Sequence, residues 1–337
     1  MNADSRGGVI IGRFMPPHAG HEYLIRFARS YTDHLTVFVC TLASEPIPGD
    51  LRFAWMSRLF PDVHLVHITE EIPQASRSQE GAFRIWADSM RSRMDHDPCY
   101  VFASEDYGAD LARELGAEFV PVDPQRSIFP VSAGMIRDDP YAHWRFVPPA
   151  VRPYFARKVA VLDATGRLVP ELARDWQTVH ATDYPAYARS LDLPPSHART
   201  AGELARAQVA SEAALLEGAN RVLFTPTDAA HVLVSSGVPE PELDETLDRL
   251  IAEYPTLAPS LVVAAEPLPD AYRRAVDALR RLHDAGDSDG EGRLRRGGPG
   301  EGPHRRDGGP GRNGNPLHAG MQPDPEVRER IQENREA

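Results

Sequence analysis

The stretch GVIIGRFMPPHAGH, residues Gly8 to His21, decides how the rest of the chain is read. Its apolar head, Val9-Ile10-Ile11, reads as a buried strand, and Tyr23-Leu24-Ile25-Arg26-Phe27-Ala28 beyond it has helical spacing. A strand that passes through a short loop into a helix is the turn at which open α/β sheets receive ligands. The helix start offers unpaired N–H groups and a positive dipole end, which suit an anion. Gly12 lets backbone approach a phosphate closely, while Pro16 and Pro17 stiffen the loop and reduce the entropy it loses on folding. His18 and His21 lie three apart across the helix start, so both can aim at one bound group. Imidazoles placed this way donate hydrogen bonds to phosphate oxygens and stabilise charge in a transition state without acting as nucleophiles. A lone histidine here would be read as a helix cap; the H-x-G-H pair directly after a strand points to function.

Working outward, short apolar runs alternate with amphipathic stretches. Strands are expected at 8–12, 34–42, 63–68, 99–104 and 117–122, with helices at 20–31, 51–60, 80–95 and 106–116. Such alternation with short loops predicts a doubly wound, Rossmann-like α/β domain with a mostly parallel sheet covered on both faces. A second, smaller α/β unit follows, with strands at 158–164, 221–226 and 261–265 and helices at 167–176, 200–218, 243–254 and 270–283. From Gly286 the chain holds 12 of its 25 glycines and almost no aliphatic residues, too little apolar surface to offset ordering entropy. The expected organisation is therefore 1–155, 156–285 and a disordered tail, 286–337.

Composition narrows the function classes. With 37 basic against 49 acidic residues the net charge is −12, and no basic stripe marks a nucleic-acid partner. Nor does the stretch before Gly8 carry a helix-turn-helix pattern. Cys40 and Cys99 cannot build a disulfide framework, and no Cys/His cluster has metal-binding spacing, so no protein-held metal is expected. With no leader pattern and no apolar window long enough for a membrane helix, the reading is a soluble, cytoplasmic protein without a membrane partner. Lys158 is the single lysine, so any site that demands a lysine has one candidate.

The run Gly12-Arg13-Phe14-Met15-Pro16-Pro17-His18-Ala19-Gly20-His21 matches in full the first signature of the H-x-G-H nucleotidyltransferase superfamily. Its second signature, of the I-S-x-T-x-x-R type, is resembled by Val131-Ser132-Ala133-Gly134-Met135-Ile136-Arg137, with Gly134 where many relatives have threonine. Within that superfamily the chain resembles the NadR-type proteins, which join a nicotinamide mononucleotide adenylyltransferase to a ribosylnicotinamide kinase; the likeness is close from about residue 8 to 162. The resemblance implies transfer of AMP from ATP, with Mg²⁺, to nicotinamide mononucleotide, giving NAD and pyrophosphate. It further implies that His18, His21 and Arg137 act on the reacting phosphates and that Gly12, Arg13, Phe14, Gly20, Ser132 and Arg52 line the ATP side. Trp86 would stack on the nicotinamide ring, and Ser104 and Glu105 would sit on the adenine or ribose side. A homo-oligomer is compatible with the sequence.

In NadR-type proteins the strand Val159-Ala160-Val161-Leu162 would run into a G-x-x-x-x-G-K-[ST] loop that cradles ATP phosphates. Here Asp163-Ala164-Thr165-Gly166-Arg167-Leu168 follows, shortened and without lysine or a following hydroxyl; Lys158 lies on the wrong side of the loop. Asp228 still resembles the family's acidic position but cannot restore the cradle. The second unit is thus expected to be a degenerate kinase-like domain. Two alternatives to the leading reading stand beside it: nucleotidyl transfer to another phosphate acceptor or a modified pyridine nucleotide, and a regulator that senses NAD or ATP without turnover.

Overall fold

The computed structural model describes residues 6–70, 82–94, 97–163, 166–191, 200–254 and 261–264. Five parallel strands form the first sheet: β1 (Gly7–Gly12), β2 (His34–Cys40), β3 (His64–Ile68), β4 (Tyr100–Ala103) and β5 (Glu118–Pro121), in the order β3-β2-β1-β4-β5. Consecutive residues of β1 show why both faces are covered. Val9 packs with Ala87, Met90, Leu111 and Leu115, whereas Ile10 packs with Leu24, Ile25, Met56 and Phe60 on the opposite face. Helices α1 (Ala19–Tyr31) and α2 (Gly49–Leu59) therefore cover one face, and α3 (Ala82–Arg91) and α4 (Tyr107–Leu115) the other. The chain changes face between β3 and β4, so the connections leaving the carboxyl ends of β1 and β4 diverge and open a crevice between them.

After β5 come two short helices, α5 (Ala133–Asp138) and α6 (Arg152–Phe155), which the periodicity did not predict. At six and four residues they are too short to display a repeat of the helical period. Together with the intervening segment they place Val131, Ile136, Trp144 and Phe155 against Met15, Ile47 and Trp55 of the first half.

A second parallel sheet has the order β7-β6-β8, built from β6 (Arg157–Leu162), β7 (Val222–Thr225) and β8 (Leu261–Ala264). Around it lie α7 (Leu168–Asp175), α8 (Tyr184–Ser190), α9 (Ala201–Leu215), α10 (Ala229–Ser235) and α11 (Glu240–Glu253). Helix α9 starts at a capping box, in which Thr200 and Glu203 satisfy each other's backbone N–H groups. The expected helix at 270–283 and the tail lie outside the described residues. Among the described residues no helix is long and apolar enough to cross a membrane.

Candidate functional site

A cavity of about 540 Å³ opens at the crevice beside β1 and β4. Most residues singled out in the sequence line it: Gly12, Arg13, Phe14, His18, Gly20, His21, Trp86, Ser104, Glu105, Ser132 and Arg137. Arg52 is the exception.

His18 is the N-cap of α1. Its Nδ1 accepts the N–H of Gly20 at 3.1 Å and that of His21 at 3.4 Å, so the proton of the neutral ring belongs on Nε2, which becomes its single donor. Capping and function are therefore joined in one residue, because the cap fixes the tautomer. Gly20 leaves room for this ring: a Cβ there would lie 3.0 Å from His18 Cε1. The His18 and His21 rings stack at 3.7 Å, and Phe14 meets His21 edge-on at 4.9 Å. Phe14, buried and in a left-handed backbone conformation (φ 48°), thus braces His21 as well as lining the cavity. The glycine at position 12 answers to that same ring, since a Cβ would come within 3.0 Å of it.

Burial, and secondarily the Arg126 charge, push the His18 imidazole down from 6.5 to about 4. His21 is pushed well below its ordinary value by burial, then by His18 and Arg126. Both are neutral donors at neutral pH. A histidine that titrates lower when folded than when unfolded lets the unfolded chain take up the proton first. Its contribution to stability is full above about pH 6.5 and is lost as pH falls towards 4, a gap worth about 3 kcal/mol for His18. His18→Asn keeps a capping oxygen and has no such titration. Denaturant unfolding at pH 7 and pH 4.5 is expected to show the wild type losing more stability than this variant; equal losses would contradict the buried neutral imidazole.

Arg13 approaches the buried carboxylate of Glu45, Nε to Oε1, at 3.5 Å. Arg52, expected on the phosphates, is instead fully buried behind this loop. Its Nε donates to the Ile47 carbonyl at 3.0 Å, its Nη1 to the carbonyls of Arg13 at 2.6 Å and Cys40 at 3.4 Å, and its Nη2 to Glu45. With its donors committed to the protein it holds the Arg13 loop to the end of β2, which corrects the phosphate-binding expectation.

The second motif lines the same cavity. Ser132 caps α5, its Oγ accepting the Met135 N–H at 3.2 Å, and Arg137 donates to the carbonyl of Met15 in the first motif loop. The two motifs are thus tied directly, across 122 positions of sequence. At Gly134 a Cβ would find only ordinary contacts, 3.6 Å from Ser132 Oγ, so local packing does not demand the glycine. Trp86 on α3 is half-buried, packing on the core of that face while lining the cavity with Phe83. Ser104 and Glu105 follow β4 directly.

Among the cavity residues that the sequence reading did not single out, three make telling contacts. Glu45 anchors both Arg13 and Arg52. Tyr107 donates to the Ile11 carbonyl at 2.8 Å, its hydroxyl pushed up by burial. Arg126 pairs with Glu105 at 3.1 Å. A single arginine in the loop Asp123-Pro124-Gln125-Arg126 offered no spacing to read, although it lies just ahead of the second motif.

In the second unit, the carboxylate of Asp163 accepts the N–H groups of Arg167 and Leu168, each at 3.2 Å, at the start of α7. An anion supplied by the chain stands where a phosphate-binding loop would present such amides to a nucleotide. Lys158 is buried in an ion pair with Glu212 at 2.7 Å, and Asp228 caps α10 by accepting the His231 N–H at 2.8 Å. Among the described residues no group of three or more His, Cys, Asp or Glu side chains could hold a metal ion.

No family model matches the chain. The trifunctional NAD biosynthesis/regulator proteins NadR of Salmonella typhimurium and Escherichia coli are each 29% identical over 198 residues, covering 52% of this chain and 48% of theirs. The chain thus matches about half the length of these curated relatives. A solved NadR structure in complex with NAD and AMP-PNP has a TM-score of 0.63 at 19% identity, over 85% of this chain and 90% of that one. A second, in complex with NR, has a TM-score of 0.61 at 17% identity, over 85% and 86%. The fold of the solved NadR structures is therefore shared across both sheets, and over those 198 residues the chain is homologous to the NadR proteins.

Proposed function

We propose that the protein is a nicotinamide-nucleotide adenylyltransferase, with ATP and nicotinamide mononucleotide as substrates and NAD and pyrophosphate as products. The observation that carries this reading is the convergence of both motifs on one cavity at the switch point of a parallel sheet, which Trp86 also lines. Its likeness to the trifunctional NAD biosynthesis/regulator proteins and to a NadR in complex with NAD and AMP-PNP agrees with it.

In this reaction an oxygen of the mononucleotide's 5′-phosphate attacks the α-phosphorus of ATP. The new O–P bond forms as the bond from the α-phosphorus to the bridging oxygen of the β-phosphate breaks, and that electron pair leaves with pyrophosphate. No protein nucleophile is needed. The neutral imidazoles of His18 and His21 donate to oxygens on which charge builds, and the cap bonds at the start of α1 fix the His18 ring before the reaction. Arg137 and Arg13, which both line the cavity, hold phosphates in line. Mg²⁺ enters with ATP as part of the substrate and neutralises its phosphates.

The second unit is proposed to have lost ribosylnicotinamide kinase activity. Its lysine is committed to Glu212 and the first amides of α7 to Asp163, which supports a packing or regulatory role.

Stacking of Trp86 on the positively charged pyridinium ring distinguishes this acceptor from other phosphates. Trp86→Ala is expected to weaken mononucleotide binding about tenfold or more while ATP affinity is kept. Equal affinity of wild type and variant for nicotinamide mononucleotide, measured by calorimetry, would count against the pyridine-nucleotide acceptor.

A further inference from the structure

We propose that Arg126 is a further phosphate-binding residue of this cavity, paired with Glu105 and exchanged onto the ATP phosphates when the nucleotide enters. The identity of the ligand rests on the adenylyltransferase reading; the placement of the residue does not.

The three arginines that line the cavity are held in different ways. Arg13 faces Glu45, a carboxylate buried at 8% exposure, and Arg137 is fixed to the Met15 carbonyl of the first motif. Arg126 pairs with Glu105, where both side chains are open to solvent, 43% and 61% exposed. An ion pair in water of this kind is weak and readily exchanged. A triphosphate offers more charge and a geometry that the guanidinium fork can grip with two parallel bonds.

The backbone is built to present this side chain. Asp123 and Arg126 both adopt left-handed conformations, at φ 47° and φ 52°, which side-chain-bearing residues take up only at a cost. The Asp123 carboxylate holds the turn by accepting the N–H groups of Ser127 at 2.7 Å, Ile128 at 3.2 Å and Phe129 at 3.1 Å. The same segment then runs through Val131 into Ser132 and α5, which carries Arg137, so one stretch of chain brings three candidate phosphate-binding groups to the cavity. Arg126 lines the same cavity as His18 and His21, close enough for its charge to lower both imidazoles. Its charge helps keep those imidazoles neutral before the substrate arrives.

Glu105 has a distinct part in this arrangement. Its carboxylate stands in for phosphate, so removing its charge frees Arg126 and also removes a repulsion towards the incoming anion.

The test is calorimetric titration of the full chain with a non-hydrolysable ATP analogue plus Mg²⁺, and separately with nicotinamide mononucleotide. Arg126→Ala is expected to weaken the ATP analogue about tenfold or more, as for a lost charge-assisted bond, and to leave mononucleotide affinity and melting temperature unchanged. Arg126→Lys should recover part of the loss, since it restores the charge but not the fork. Glu105→Gln should tighten the analogue. The proposal is overturned if Arg126→Ala binds the analogue as the wild type does, if it weakens both ligands equally, or if Glu105→Gln weakens the analogue. Pyrophosphate release by the wild type separates this result from the wider reading. An Arg126-dependent affinity without turnover on any acceptor sinks the adenylyltransferase and leaves this inference standing, and turnover that is indifferent to Arg126 does the reverse.

Discussion

His21→Ala is expected to lower turnover by about 10²- to 10³-fold with little change in stability, the scale of removing one fixed donor to a developing negative charge. His21 is the cleaner of the two histidines to remove, because it caps nothing, whereas His18 also accepts two N–H groups at the start of α1. His18→Ala therefore mixes loss of the donor with loss of a cap, itself worth about 1 kcal/mol. His18→Asn separates them by restoring an acceptor for the cap but not the Nε2–H. Turnover of His18→Asn should stay as low as that of His18→Ala while its melting temperature recovers. Burial above all, with the Arg126 charge, keeps both rings neutral, and His18 adds to the effect on His21. Near wild-type turnover in His21→Ala would remove His21 from the mechanism.

Arg52→Leu is expected to destabilise the protein by about 3–5 kcal/mol, because it leaves the buried Glu45 carboxylate without its main partner and three backbone carbonyls without donors. For a domain of this size that is a fall of about 10 °C in Tm. The ATP site suffers indirectly, since the Arg13 carbonyl is one of the groups released. A phosphate ligand would behave differently, losing nucleotide affinity with Tm intact. Thermal unfolding beside ATP-analogue titration tells the two apart, and an unchanged Tm would restore Arg52 to the phosphates.

What the sequence could and could not reveal follows from the range of each interaction. Adjacent Val9 and Ile10 announce a strand buried on two faces, and they pack on different clusters as that pattern requires. Both motifs are local, so their residues were legible, and they do meet around one cavity. Arg52 misled because an arginine in a loop-helix start is ordinarily solvated, and its burial depends on carbonyls at positions 13, 40 and 47 that only the fold brings together. Arg126 was silent for a similar reason: its partner Glu105 and its neighbours His18 and His21 belong to other loops. In the second unit the missing lysine and glycines were visible in the chain, but not that Asp163 would cap α7 in a phosphate's stead. Helices α5, α6, α8 and α10 have four to seven residues each, too few for periodicity to register.

Product analysis of the full chain incubated with ATP, Mg²⁺ and either nicotinamide mononucleotide or nicotinamide riboside tests the central claim most directly. The account predicts NAD and pyrophosphate in equal amounts from the mononucleotide, and no phosphorylated product from the riboside. Pyrophosphate absent with the mononucleotide, although both nucleotides bind, would contradict it.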